Sequence, residues 1–224
     1  MIRGRTVGRT GGRALLAVGI VLTVRPPDRL SAQTSVHLSA GARYSTTLVH
    51  DSIGANRIEA GLGIAPALVL SVGTPLNERW GVEAQLDFST SGLEPSFDGA
   101  TTDLGAVGTL AFAVVVRRAI TGPLTAQAGI GALKYLPATE QGIFRNGAGS
   151  LAPLGMLGAT CALPVGRGGG RGGRGGRFDL ALEARYDFHR FTTPALTAEG
   201  LDGRRSVHRV ALAVRAGWGA GATR

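Results

Sequence analysis

Residues 178–190 read FDLALEARYDFHR, and this stretch decides the fold. Its even positions, Phe178, Leu180, Leu182, Ala184, Tyr186 and Phe188, are apolar, with aromatics toward both ends. Its odd positions, Asp179, Ala181, Glu183, Arg185, Asp187 and His189, are mostly charged. A period of two places these sets on opposite faces of an extended strand, and the faces must meet unlike surroundings.

The same alternation recurs along the chain. Within 80–89, Trp80, Val82, Ala84, Leu86 and Phe88 share one face; Glu83, Gln85 and Asp87 share the other. Within 36–48, Val36, Leu38, Ala40, Ala42, Tyr44 and Leu48 oppose His37, Ser39, Arg43, Ser45 and Thr47. Within 210–218, Val210, Leu212, Val214, Ala216 and Trp218 oppose Ala211, Ala213, Arg215 and Gly217. Segments 58–72, 103–117, 124–135 and 151–164 alternate less cleanly but are apolar and bounded by turn residues. Together they predict eight strands, with Pro153 and Pro164 marking 151–164 as the least regular.

The connections alternate in length. GTPLNE (73–78) and AITGP (119–123) are short. HDSIGANR (50–57), SGLEPSFDGATT (91–102), PATEQGIFRNGAGS (137–150) and TTPALTAEGLDGRRS (192–206) are longer and polar. Long loops on one side and short turns on the other are the pattern of a transmembrane barrel. GRGGGRGGRGGR (166–177) breaks it, being a long connection on the short-turn, periplasmic side.

Composition agrees. Gly is 36 of 224 residues and aromatics are 5%, too little bulk for an ordinary soluble core. The net charge of +9 is concentrated in residues 1–13 and 166–177, so it is weak support for a nucleic-acid surface. Cys161 is alone, which excludes an internal disulfide or a Cys-based metal cluster. No segment of the later chain is apolar for long enough to cross a bilayer as a helix.

Residues 1–13 carry four Arg and no acid, and the apolar run ALLAVGIVLTV (14–24) follows. That order describes a cleavable secretory signal peptide over 1–32, cut after Ala32. The barrel domain is then 33–224.

Alternation alone does not say which face points inward. Tyr44, Trp80, Phe88, Phe178, Tyr186, Phe188 and Trp218 sit toward strand ends, where interfacial girdles belong. The opposite face is small or charged, and a lumen of eight strands is just wide enough for side chains to fill. Apolar-out is therefore expected. Arg43, Glu83, Asp87, Arg117, Asp179, Glu183, Arg185, Asp187 and Arg215 are then expected to neutralise one another across a plugged lumen.

RWGVEAQLDFS, RFDLALEARYDFHRF and RVALAVRAGW resemble the small outer-membrane β-barrels that include the membrane domain of outer-membrane protein A. The resemblance covers most of 35–219. It implies an all-β, eight-stranded, antiparallel up-and-down transmembrane barrel in the outer membrane of a Gram-negative-type cell. It also implies insertion machinery that reads a final aromatic strand, here ending near Trp218 before GAGATR. No peptidoglycan-binding domain is expected.

Other features weigh less. The RGG-like run is read as a flexible linker, since export argues against nucleic acid as a partner. His37 and Ser39 fall on the inward face without an acid partner, which disfavours catalysis on lipid. His189 and His208 are a weak metal signal. Asp51, Glu94, Asp98, Glu140, Glu199 and Asp202 read as solvated loop acids, and GIGAL (129–133) as strand glycines. The expected function is a non-enzymatic outer-membrane barrel, without cofactor or metal, in a structural, adhesive or surface-recognition role. Its expected partners are outer-membrane lipids, the insertion machinery, and periplasmic or surface ligands met through the loops. A narrow pore for small solutes, a lipid-modifying enzyme and a soluble periplasmic ligand-binding barrel are the alternatives.

Overall fold

The computed structural model describes residues 34–53, 56–97, 100–101, 105–164, 177–198 and 205–219. The expected signal peptide and its cut after Ala32 lie outside them, as does the Gly/Arg-rich turn up to residue 176. The strands are β1 (Ser35–Ser45), β2 (Val49–Ile53), β3 (Asn56–Leu62), β4 (Ala65–Pro75), β5 (Trp80–Phe97), β6 (Ala100–Thr101), β7 (Ala106–Thr121), β8 (Leu124–Pro137), β9 (Ala152–Ala162), β10 (Arg177–Phe191) and β11 (Arg205–Gly219). One short helix, α1 (Pro194–Ala198), follows β10.

Eight of these strands close a ring in the order β1, β4, β5, β7, β8, β9, β10, β11, with β11 paired back to β1. Every pairing is antiparallel. Following paired residues once round the ring from Ser35 leads to Ser45, ten residues further along β1. That stagger tilts the strands by about 40° from the axis, and each residue then climbs roughly 2.5 Å.

The outer wall is apolar over a band. Leu38, Leu70, Leu86, Val114, Leu182 and Leu212 all point outward and are exposed. Trp80, Phe178 and Trp218 mark its lower rim, nearest the short turns; Tyr44, Phe88 and Phe188 mark its upper rim. With the stagger included, the rims stand about ten residues apart, roughly 25 Å.

Above the upper rim the polarity reverses. Thr47, Thr90, Glu94, Arg190 and Ser206 are exposed, with Ile64, Leu136 and Leu151 as apolar exceptions, while Leu48, Leu62, Leu93, Val107, Leu133, Tyr135, Leu154, Phe191 and Val207 are buried inside. The inner face is therefore charged only alongside the band, and this corrects the expectation of small or charged residues throughout. Beyond the band the strands stand in water, where apolar side chains gain by turning inward.

Three segments expected as loops or as plain alternation differ. HDSIGANR is largely a hairpin of β2 and β3, and SGLEPSF continues β5 to Phe97. Leu48, which the alternation places on the outward face, is fully buried. Regular pairing of β1 ends at Ser45, and residues 46–48 shift the alternation by one. Pro153 lies inside β9 with its ring outward.

Local chemistry sets the short turns. The Asn77 side-chain oxygen accepts from the backbone N–H groups of Arg79 and Trp80, both at 2.9 Å, closing the turn from β4 to β5. Gly122, at φ +48°, makes the turn from β7 to β8. Gly131 serves a different need: a Cβ there would lie 2.0 Å from the Phe112 carbonyl oxygen. Gly131→Ala is expected to force β7 and β8 apart and to cost about 1–3 kcal/mol. Urea unfolding checks this, with Gly92→Ala as control, since nothing lies within 4 Å of a Cβ at Gly92. Equal midpoints for the two variants would refute the clash.

Candidate functional site

The lumen beside the apolar band brings the inward charges into two groups. In the lower group Glu83 accepts from Arg117 and from Arg215, each at 2.6 Å. His37 Nδ1 stands 3.7 Å from the same oxygen. Glu183, the next carboxylate, accepts from the Ser39 hydroxyl at 2.6 Å and from Gln127 at 2.9 Å, with Arg215 4.0 Å away.

In the upper group Arg43 forks onto Asp87 at 2.8 and 2.5 Å, and Arg185 pairs with the same carboxylate. Asp187 meets Arg209 at 3.1 Å, Arg185 at 3.2 Å and Arg43 at 3.6 Å. Ser89 and Thr109 complete the cluster, accepting from Arg43 and Arg209. The partners come from β1, β5, β10 and β11, so the pairs stitch opposite walls together. Space for the guanidinium groups comes from small inward residues, Ala67, Ala211 and Ala213 among them.

Of the nine charges singled out in the sequence, Arg43, Glu83, Asp87, Glu183, Arg185, Asp187 and Arg215 are buried. Arg117 and Asp179 are half-buried near the short-turn end. Asp179 stands beside Gly217 and His37: a Cβ on Gly217 would touch both. Arg209, fully buried, joins them although it lies outside the strand that the alternation predicts. The predicted strand began at 210, whereas β11 begins at Arg205. The inward periodicity of 211, 213 and 215, carried back one step, reaches Arg209. With it, five lumen arginines face five carboxylates among the described side chains.

An aromatic and aliphatic lid closes the long-loop end. The Tyr135 ring meets Phe191 edge-on at 4.9 Å and Phe144 at 6.0 Å, and its hydroxyl hydrogen-bonds His189 Nε2 at 2.7 Å. Phe144 belongs to the connection between β8 and β9, and Leu196 to α1; both are buried with Leu48, Leu93 and Val207. Thr193 ties the two connections. Its hydroxyl donates to the Ile143 carbonyl at 2.6 Å and accepts from the Leu196 N–H at 3.3 Å. Both connections were expected to be plain polar loops; the isolated Phe144 and Leu196 within them were the available signal. At the other end the lumen opens into a cavity of about 220 Å³ lined by Ser35, Asn77, Arg79, Glu83 and Arg117.

All seven singled-out aromatics point outward. Phe178 lies against Trp218 at 5.6 Å, Tyr186 against Phe188 at 6.2 Å, and Arg118 over the Trp80 ring at 5.2 Å. His37 and Ser39 are both buried in the lumen, away from the outer wall. His189 faces inward, whereas His208 stacks outside on Tyr186, so the two cannot share a metal ion. Among the described residues no group of three or more His, Cys, Asp or Glu is placed to hold one. Residues 129–133 lie within β8, with no loop to cradle a phosphate. Of the loop acids, Glu94 and Glu140 are exposed. The side chains of Asp51, Asp98, Glu199 and Asp202 lie outside the described residues.

No protein-family model matches the chain, and no curated protein matches it in sequence. Solved structures do. The crystal structure of Neisserial surface protein A is 10% identical, with 83% of this chain and 96% of that one covered and a TM-score of 0.44. The outer membrane protein OprG from Pseudomonas aeruginosa is 13% identical, with 85% and 98% covered and a TM-score of 0.43. The solid-state NMR structure of outer membrane protein AlkL in DMPC lipid bilayers is 13% identical, with both chains fully covered and a TM-score of 0.48.

Proposed function

We infer that this chain is an outer-membrane β-barrel that crosses the bilayer through its apolar band and carries a structural, adhesive or surface-recognition role rather than a catalytic or conducting one. The membrane part of the reading rests on the reversal of polarity at Tyr44, Phe88 and Phe188. A band of roughly 25 Å matches the apolar height of such barrels. Ring closure leaves no strand edge unpaired in hydrocarbon, where each open N–H or C=O would cost several kcal/mol. The short turns then face the periplasm, and the hairpin of β2 and β3, the lid and α1 face outward. Cell fractionation with heat-modifiable gel mobility tests it, and recovery without detergent rejects it.

The role rests on one observation: the lumen is blocked twice, by the ion-paired core and by the lid over it. A solute would have to break several buried ion pairs and part the aromatic cluster. In planar bilayers the purified barrel is expected to be electrically silent. Sustained conductance steps would replace this reading with the pore. Lipid modification is disfavoured because His37 and Ser39 are walled off from acyl chains; unchanged lipid A in cells with and without the protein is the expected result. Recognition then falls to the outer connections. The partners are outer-membrane lipids along the band and the insertion machinery at the strand ending near Trp218. Nothing in the reading calls for a cofactor or nucleic acid.

A further inference from the structure

Just above the upper rim, the outward positions on the eight ring strands carry few ionisable side chains. On β4, β5, β7 and β9 and the residues adjoining them, the outward positions there are Ile64, Thr90, Gly108 and Pro153, and β1 ends at Tyr44 and Ser45. Only three described outward side chains at this height carry an acidic or basic group: Lys134 on β8, Arg190 on β10 and His208 on β11. All three are basic, and all stand on one side of the barrel. Of the described acids, Glu94 and Glu59 stand higher and on the opposite wall, on β5 and β3, and Glu140 lies exposed in the connection beyond the upper end of β8.

The register fixes their relation. Arg190 pairs with Ser206, and His208 with Phe188, so Arg190 and His208 are diagonal neighbours, about 7–8 Å apart. Lys134 lies two strands away, about 10 Å to the side. Arg190 is exposed and has no partner among the described residues. His208 is held flat on the Tyr186 ring, with the Tyr186 hydroxyl 2.6 Å from Nδ1, so its Nε2 edge remains for another partner. Lys134 is anchored to the Gly149 carbonyl through one of its three donors.

We propose that Lys134, Arg190 and His208 form a binding surface for the phosphate groups of an outer-leaflet lipid A-type glycolipid. The proposal rests on the membrane reading above. Cations placed at the edge of the hydrocarbon lie at headgroup height, where they attract anionic lipid. A forked guanidinium suits a phosphate, and the outward face of β8 below, Ala126, Ala128, Ile130 and Ala132, is apolar and open to acyl chains.

The test is native mass spectrometry of the full barrel, released from detergent after incubation with bisphosphorylated lipid A or its dephosphorylated form. The wild type is expected to retain the phosphorylated lipid at least ten-fold better than the dephosphorylated one. The triple variant Lys134→Gln, Arg190→Gln, His208→Gln is expected to lose that preference. Arg190→Lys should keep most of it, and Arg118→Gln at the lower rim should keep all of it. Equal retention of both lipids by the wild type, or an undiminished preference in the triple variant, overturns the site. Heat-modifiable mobility of each sample separates the two failures. A barrel that shifts on heating but shows no preference refutes the site alone. A wild type that never shifts refutes the membrane reading and the site with it.

Discussion

Asp187→Ala is expected to be the most damaging single change in the lumen, costing about 3–5 kcal/mol or preventing the barrel from refolding in detergent. Asp187 is the carboxylate on which Arg43, Arg185 and Arg209 converge, and all four side chains are buried. Removing it leaves Arg43 and Arg185 sharing Asp87 and leaves Arg209 with the Thr109 hydroxyl, and a buried charge without its counter-ion carries its full desolvation cost. The barrel is too narrow for water to replace that carboxylate freely. Asp187→Asn should be milder, since the amide oxygen still accepts one hydrogen bond. The double variant Asp187→Leu, Arg209→Met should recover part of the loss, because it removes a cation along with the anion. Urea titration of the folded fraction, read from gel mobility, measures all three. If Asp187→Ala unfolds at the wild-type urea concentration, the lumen is wet and the ion pairs are not what rigidifies it.

Leu70→Arg is expected to cost about 2–4 kcal/mol in phosphatidylcholine vesicles, the penalty of a cation on the lipid face near mid-bilayer. Leu70 points outward between Leu38 and Leu86, its partners on β1 and β5, near the centre of the band. Thr90→Arg, one step above Phe88 on the same outer wall, should cost almost nothing, because its side chain already stands at headgroup level. Vesicle unfolding in urea compares the two. A soluble barrel would tolerate both equally, and equal cost would remove the membrane from the account.

Much of this architecture was legible because a two-residue period is a local property. FDLALEARYDFHR and RWGVEAQLDFS carry both faces of β10 and of the lower half of β5 without reference to any neighbour. The lumen charges could be named for the same reason. Arg209 escaped because the predicted strand stopped one residue short of it. The lid escaped for a deeper reason. Phe144 and Leu196 lie in polar connections with no period, and what buries them is the mouth of a barrel assembled from strands distant in sequence. Leu48 turns inward against the alternation because residues 46–48 step out of the ladder, which a local period does not carry.

Sequence by itself determined that the chain forms two-faced strands, which residues share each face, and where the short turns fall, since each follows from local geometry and side-chain chemistry. Tertiary structure alone decided three things: which carboxylate meets which guanidinium, that the ring closes with a stagger of ten, and that the faces exchange polarity above Phe88 and Phe188. Those depend on the spacing of walls across the axis and on how far each strand outruns the band, distances that no single strand carries.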